Sequence, residues 1–385
     1  MRTASRLFAM ATAMCSAVAM AAAPGISDKE IKLGSVLPLQ GGFAAGATQF
    51  RDGVDAYFKW TNDQGGIHGR KITWSAENDS YNPQQSVAAI KKLVDRDGIF
   101  AIVGTLGTAN TLAMLPFLKQ RNVPLLGPLG SHPLINEPQD RNVFPISPTG
   151  PQQGTSLVQY AHESLGAKRI AVFYQDDQMG KELLSGVRQY AAAHNLKVVG
   201  EASYVPSDVD VSAQALTLRQ SNPDAVVMAV IPKQGTLFLI TAQKMGWKSN
   251  FLALQVMGDP VTLQLGGDAV NRLYTNLYAG VETMTTPEIQ QAKEILGKYA
   301  PGTAPGYWSF IGMSGAKLFV EAAKGAGRDL TRDSLIASLE RMGTHASGLI
   351  PPVSYQPGKH AGPATFGYAQ WQDGKLIVLK AWQDK

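Results

Sequence analysis

Several stretches of the chain have residue types and spacings that imitate known chemistry. Gly41 to Thr48 reads GGFAAGAT, and its Gly41-to-Gly46 spacing is that of a phosphate-cradling loop. Ala47 stands where a lysine would meet the phosphates, so nucleotide binding is rejected. Gly312-Met313-Ser314-Gly315 resembles a nucleophile elbow with its second glycine one place early. The six histidines, His68, His132, His162, His194, His345 and His360, include no pair at metal-ligand spacing. Neither a catalytic residue nor a metal is expected, and no cofactor motif survives. Asp176 and Asp177 are adjacent carboxylates at a strand end, where successive side chains diverge, and they read as a solvated turn. One loop remains. Gly104-Thr105-Leu106-Gly107-Thr108-Ala109-Asn110-Thr111 follows an apolar strand and precedes a helix, offering hydroxyls and free N–H groups to an anion such as a carboxylate. Ordinary N-capping by Thr108 or Asn110 explains the same residues equally well.

The elements that position this loop alternate. Ile31 to Leu39 reads as a strand, and Phe50, Val54, Tyr57 and Phe58 then recur at helical spacing. A strand from Lys71 to Trp74, a helix after Pro83, a strand from Phe100 to Val103, a helix from Thr111 to Lys119 and a strand from Val123 to Leu126 repeat the unit. The pattern restarts at Arg169 to Tyr174 and runs through helix Gly180 to His194 to a strand at Phe251 to Leu254. The fold class is therefore α/β, with two similar doubly wound lobes and mainly parallel sheets. The segment Ile146 to Pro151 resists both helix and central strand and reads as a linker. Further crossings fall near Ala279 to Glu282 and Ser347 to Val353.

Composition excludes other classes. Arg2 and Arg6 precede an apolar run from Leu7 to Ala23, the pattern of a cleavable signal peptide over residues 1–21. Cleavage removes Cys15, the only cysteine, so neither disulfide nor thiol chemistry is expected. The remaining chain has 33 basic and 30 acidic residues without a basic run, which argues against nucleic acid. No later apolar stretch approaches membrane length.

Ile31-Lys32-Leu33-Gly34 with Pro38-Leu39, Gly65-Gly66-Ile67-His68-Gly69-Arg70-Lys71-Ile72, Lys92-Leu93-Val94, Val103-Gly104 and Val123-Pro124 form a specific set. Through them, over essentially the whole mature chain, the sequence resembles the periplasmic substrate-binding proteins of the branched-chain amino acid ABC importer type. That resemblance implies the type I periplasmic binding fold, two lobes joined by three crossover segments, with a small-molecule ligand closed between them. It implies lobe 1 at 28–147 plus 283–348 and lobe 2 at 151–280 plus 352–385. It implies a periplasmic monomer that binds without turnover and delivers its ligand to a membrane permease. A periplasmic sensor reporting to a membrane partner has the same binding chemistry. A cleft enzyme would need a nucleophile, base or metal that is not seen.

The resemblance also places a site. The family's carboxylate-holding loops fall on Leu106, Gly107 and Thr108 and on Gly130 and Ser131. Gln255 falls where amino-acid binders put an acid against the ligand's ammonium, and Met179 replaces a tyrosine contact. Asp259 is the nearest acid that a shifted alignment would bring there instead. A glutamine does not offset a buried ammonium, so the ligand is expected to be an amino acid or a hydrophobic or aromatic carboxylate lacking the amino group. Two family cysteines become Tyr81 and Gly107, and the tyrosine ring is expected to fill beside the small residue. Phe43, Tyr307 and Trp308 are further aromatic lining candidates.

Overall fold

The computed structural model describes residues 23–383, so the expected signal peptide over residues 1–21 lies outside the described residues. The first half alternates as β1 (Glu30–Leu37), α1 (Ala44–Asp63), β2 (Lys71–Asn78), α2 (Pro83–Lys91), β3 (Ala101–Leu106), α3 (Thr108–Gln120), β4 (Leu125–Leu129), α4 (Pro133–Asn136) and β5 (Val143–Phe144). These strands form a parallel sheet in the order β2-β1-β3-β4-β5. The central strands β3 and β4 are buried on both faces, which is why they read as continuous apolar runs. On β3, Ala101 and Val103 join the core that includes Phe50 and Val54 of α1, while Ile102 joins Ile90 and Met114 on the opposite face.

The same order recurs. Next come α5 (Gly150–Glu163), β6 (Arg169–Gln175), α6 (Gln178–Ala193), β7 (Lys197–Tyr204), α7 (Ser212–Gln220), β8 (Ala225–Ala229), α8 (Pro232–Lys244), β9 (Asn250–Ala253), α9 (Pro260–Gly266) and β10 (Tyr274–Leu277). The chain then returns to the first lobe as α10 (Pro287–Tyr299), α11 (Tyr307–Ala326) and α12 (Arg332–Arg341). It closes with β11 (Gly343–His345), β12 (Val353–Gln356), β13 (Lys359–Ala361), β14 (Gly367–Gln372) and β15 (Lys375–Lys380). The second sheet runs β15-β14-β10-β9-β8-β6-β7; β14 and β15 add antiparallel to an otherwise parallel set. In each sheet the winding reverses beside the first strand of its unit, β1 or β6. Open α/β sheets bind ligands at the strand carboxyl ends near such a point.

The chain passes between the lobes after Phe144, after Leu277 and between Arg341 and Gly367. The last two passages are hydrogen-bonded, with Gly280 N donating to Leu349 O at 2.8 Å. Two expectations change here. The expected linker Ile146 to Pro151 ends inside a helix: Thr149 and Gln152 form a reciprocal capping box, and Pro151 sits in the first turn, where its missing N–H costs nothing. Residues 353–361, expected in the second lobe, pack on the first. Tyr355 Oη donates to Pro145 O at 2.6 Å, and His360 stacks on Phe144 with ring centroids 4.3 Å apart.

Candidate functional site

A cavity of about 550 Å³, its open mouth included, lies where the carboxyl ends of the two sheets face one another. Most of the lining residues end or follow a strand. Phe43 follows β1, Tyr81 follows β2, Leu106, Gly107 and Thr108 end or follow β3, and Gly130 and Ser131 follow β4. From the other lobe come Met179 after β6, Val230 and Ile231 after β8, Leu254 and Val256 after β9, and Tyr278 after β10. Tyr307 and Trp308 at the start of α11 complete the wall. Tyr278, Val230 and Ile231 were not singled out in the sequence, although the strand-end rule applied to β8 and β10 would have found them.

The polar pole is built by two loops of the first lobe. Gly107 sits at φ 102°, a region favouring glycine. A Cβ there would stand 2.9 Å from Cε2 of Tyr81. The tyrosine ring therefore fills the space beside the small residue. Thr108 opens α3, which has no side-chain cap, so its first N–H groups are left for another acceptor. Asn110 does not cap it. Its amide is committed to Asp79 and Ser86, both at 2.9 Å. Ser131 N donates to Thr108 Oγ1 at 3.0 Å, fixing the two loops together and leaving the threonine's own O–H hydrogen free.

Tyr81 is held in an unusual conformation, since Ser80 and Tyr81 lie at φ 49° and 60°. The buried carboxylate of Asp79 stabilises that turn by accepting from Tyr81 N at 3.0 Å and from Ser86 Oγ at 2.7 Å. The phenol thereby reaches across the cleft, where Gln175 Nε2 of the second lobe donates to it at 3.4 Å. Burial and the nearby Asp177 carboxylate push the Tyr81 hydroxyl well above the usual phenol range, so it is neutral.

Gln255 is a correction. It is completely buried, but it is absent from the cavity wall. Its Oε1 accepts from Tyr278 N at 2.5 Å and Ala279 N at 2.8 Å, and its Nε2 donates to Ala279 O at 2.6 Å. Its oxygen and one of its two amide hydrogens are thus committed to the second crossing segment. Asp259 is not in the wall either. It caps α9 through Val261 N at 3.1 Å and accepts from Trp308 N at 3.4 Å across the lobes. Burial raises its carboxyl to about 6. Asp177 differs from the expected solvated turn as well, because it caps α6 through Gly180 N, and burial moves its carboxyl up. Asp176 pairs with exposed Lys181.

Gly312 to Gly315 lie inside α11, where Ser314 Oγ donates to Phe310 O at 2.9 Å. Among the described residues, no group of three His, Cys, Asp or Glu side chains could hold a metal ion, and no helix is long and apolar enough to cross a membrane.

Two like-ordered sheets with a shared cleft define a two-lobed binding protein of the type I periplasmic class. The family model described as "Periplasmic binding protein" matches residues 30–375, and the chain belongs to that family. Its members bind solutes and do not turn them over, so the chain is not an enzyme. A curated relative, "Leu/Ile/Val-binding protein homolog 3" of Brucella melitensis, is 24% identical over 371 residues, covering 95% of this chain and 99% of the relative. Among solved structures, a fatty acid ABC transporter substrate-binding protein from Thermomonospora curvata superposes with a TM-score of 0.86 at 21% identity, covering 93% of each chain. A branched-chain amino acid ABC transporter protein from Thermus thermophilus with bound valine superposes with a TM-score of 0.85 at 19% identity, covering 92% of this chain and 97% of that one.

Proposed function

We propose that the chain is the exported solute-binding component of an ABC importer, and that it captures an organic acid with an apolar body and no amino group. The observation that carries the ligand class is the cavity wall: among the described residues that line it, none is Asp, Glu, Lys, Arg or His. An ammonium enclosed there would lose its water without gaining a counter-charge, at a cost of several kcal/mol. Asp177 and Asp259 are absent from the wall and have their oxygens on helix N-termini. A carboxylate is treated differently. It meets the uncapped start of α3 and the Thr108 hydroxyl, where N–H dipoles and a free O–H favour negative charge.

The names of the relatives fit this reading. Leucine, isoleucine, valine and fatty acids share a carboxylate head and an apolar body, and only the fatty acid lacks the ammonium. We take the lobes to close on the ligand about the three crossings, with the permease recognising the closed monomer. The reading is tested by a thermal-shift screen of amino acids against their deaminated analogues, since a ligand that binds only the folded state raises the midpoint. Stabilisation by the simple acids supports it. Stabilisation by amino acids alone overturns the ligand class.

A further inference from the structure

Aromatic rings line one wall of the cavity in an unbroken series of contacts. Tyr81 lies against Gly107 of the polar pole, and Phe43 stacks on Tyr81 with centroids 5.1 Å apart and planes 12° from parallel. Trp308 meets Phe43 edge-on at 5.3 Å, Tyr307 adjoins Trp308 at 4.8 Å, and Tyr278 adjoins Tyr307 at 5.7 Å. The series begins at the carboxylate loop and ends on two phenols, one from each side of the second crossing.

Those two hydroxyls pair at 2.7 Å, and neither has another partner among the described residues. Two phenols own two O–H hydrogens, and the bond between them uses one. The second hydrogen and the remaining lone pairs sit in a buried wall, Tyr278 and Tyr307 being 4% and 2% exposed. A buried O–H without an acceptor is a costly vacancy in hydrogen bonding, and native interiors fill such vacancies with protein, water or ligand. Apart from Gln153, the other second-lobe residues that line the cavity, Met179, Val230, Ile231, Leu254 and Val256, are apolar. A group that both accepts the free O–H and donates to a phenol oxygen completes the pair, and a hydroxyl does both.

We propose that the Tyr278–Tyr307 pair is a second recognition pole, and that the solute is a flat aromatic acid carrying a hydroxyl remote from its carboxylate. This rests on the acid-binding reading above and adds to it the body and the far end of the ligand. The ring-lined wall suits a planar π-face, and the two poles set its length and direction. A site built to hydrogen-bond a hydroxyl discriminates strongly against the analogue lacking it, because the site's own polar groups are then left unpaired.

The test is calorimetry with three matched pairs: benzoate and 4-hydroxybenzoate, phenylacetate and 4-hydroxyphenylacetate, cinnamate and 4-hydroxycinnamate. In at least one pair the hydroxylated acid should bind about tenfold or more tighter than its partner. The double variant Tyr278→Phe with Tyr307→Phe removes both hydroxyls together, leaves no orphan, and should fold. It should bring that ratio close to one. The proposal is overturned if no pair shows the preference, or if the preference survives in the double variant. Binding of aliphatic acids with none of the six aromatic acids bound would also sink it, while leaving the acid-binding reading standing.

Discussion

At the scale of single residues, Thr108 ties the two loops of the polar pole together and keeps its own O–H hydrogen uncommitted. Its Oγ1 accepts from Ser131 N, so Thr108→Val removes both that acceptor and the free O–H while keeping the shape. Binding of a carboxylate should weaken by about 1–3 kcal/mol, the usual value of a hydrogen bond to a charged group, read as a rise in Kd of about fivefold to 150-fold by calorimetry. An unchanged Kd would place the carboxylate elsewhere. Gln255 leads to the opposite kind of prediction. Gln255→Glu would restore the acid that the family's amino-acid binders use, but here the amide already donates to Ala279 O and accepts from two N–H groups. The variant should lose thermal stability by about 1–3 kcal/mol from the lost donor, and it should gain no affinity for leucine. A gain of leucine binding with unchanged stability would show that this side chain can turn into the cleft.

At the scale of elements, helix N-termini do much of the positioning. Asp259 leaves α9 and reaches the N-terminus of α11, joining the segment that carries Tyr307 and Trp308 to the opposite lobe. Burial raises its carboxyl to about 6. An unfolded aspartate loses its proton near 3.9, so the folded state holds the extra proton between these values and stability falls as pH rises through that window. Asn keeps the acceptor for Val261 N and does not titrate. Relative to Asp259→Asn, the native protein should lose about 2–3 kcal/mol of stability between pH 4 and pH 7, measured by denaturant melts across that range. Parallel pH profiles would show that the carboxyl is not burdened by burial.

The strands and the first-lobe loops were legible in the sequence because buried parallel strands are continuous apolar runs and the Gly104 to Thr111 loop has a strand before it and a helix after it. Helix α5 was not. Its prolines and glycines read as breakers, and only the Thr149–Gln152 capping box marks it as a start. Gln255 was placed by resemblance, which fixes its backbone position but not its rotamer. Its direction is set by unsatisfied backbone groups of Tyr278 and Ala279, which lie 23 and 24 residues away in the chain. Tyr278 escaped notice for the related reason that its partner, Tyr307, is 29 residues distant and meets it only through the crossing.

At the scale of the whole molecule, the cavity wall is contributed by both lobes, and only three crossings join them. Tyr81 spans the cleft to Gln175, so a ligand that holds the lobes together should favour the compact arrangement over any opened one. Small-angle scattering should show a smaller radius of gyration at saturating ligand than without it, and superimposable profiles would argue against closure. The cleft as proposed accepts a carboxylate but gives an ammonium no counter-charge. Calorimetric titration of the protein with leucine and with 4-methylpentanoate, which differ only by that amino group, tests it most directly. Measurable binding of 4-methylpentanoate is expected, with leucine at least about a hundredfold weaker because its ammonium would be an uncompensated buried charge. Tight binding of leucine with no response to 4-methylpentanoate would contradict it.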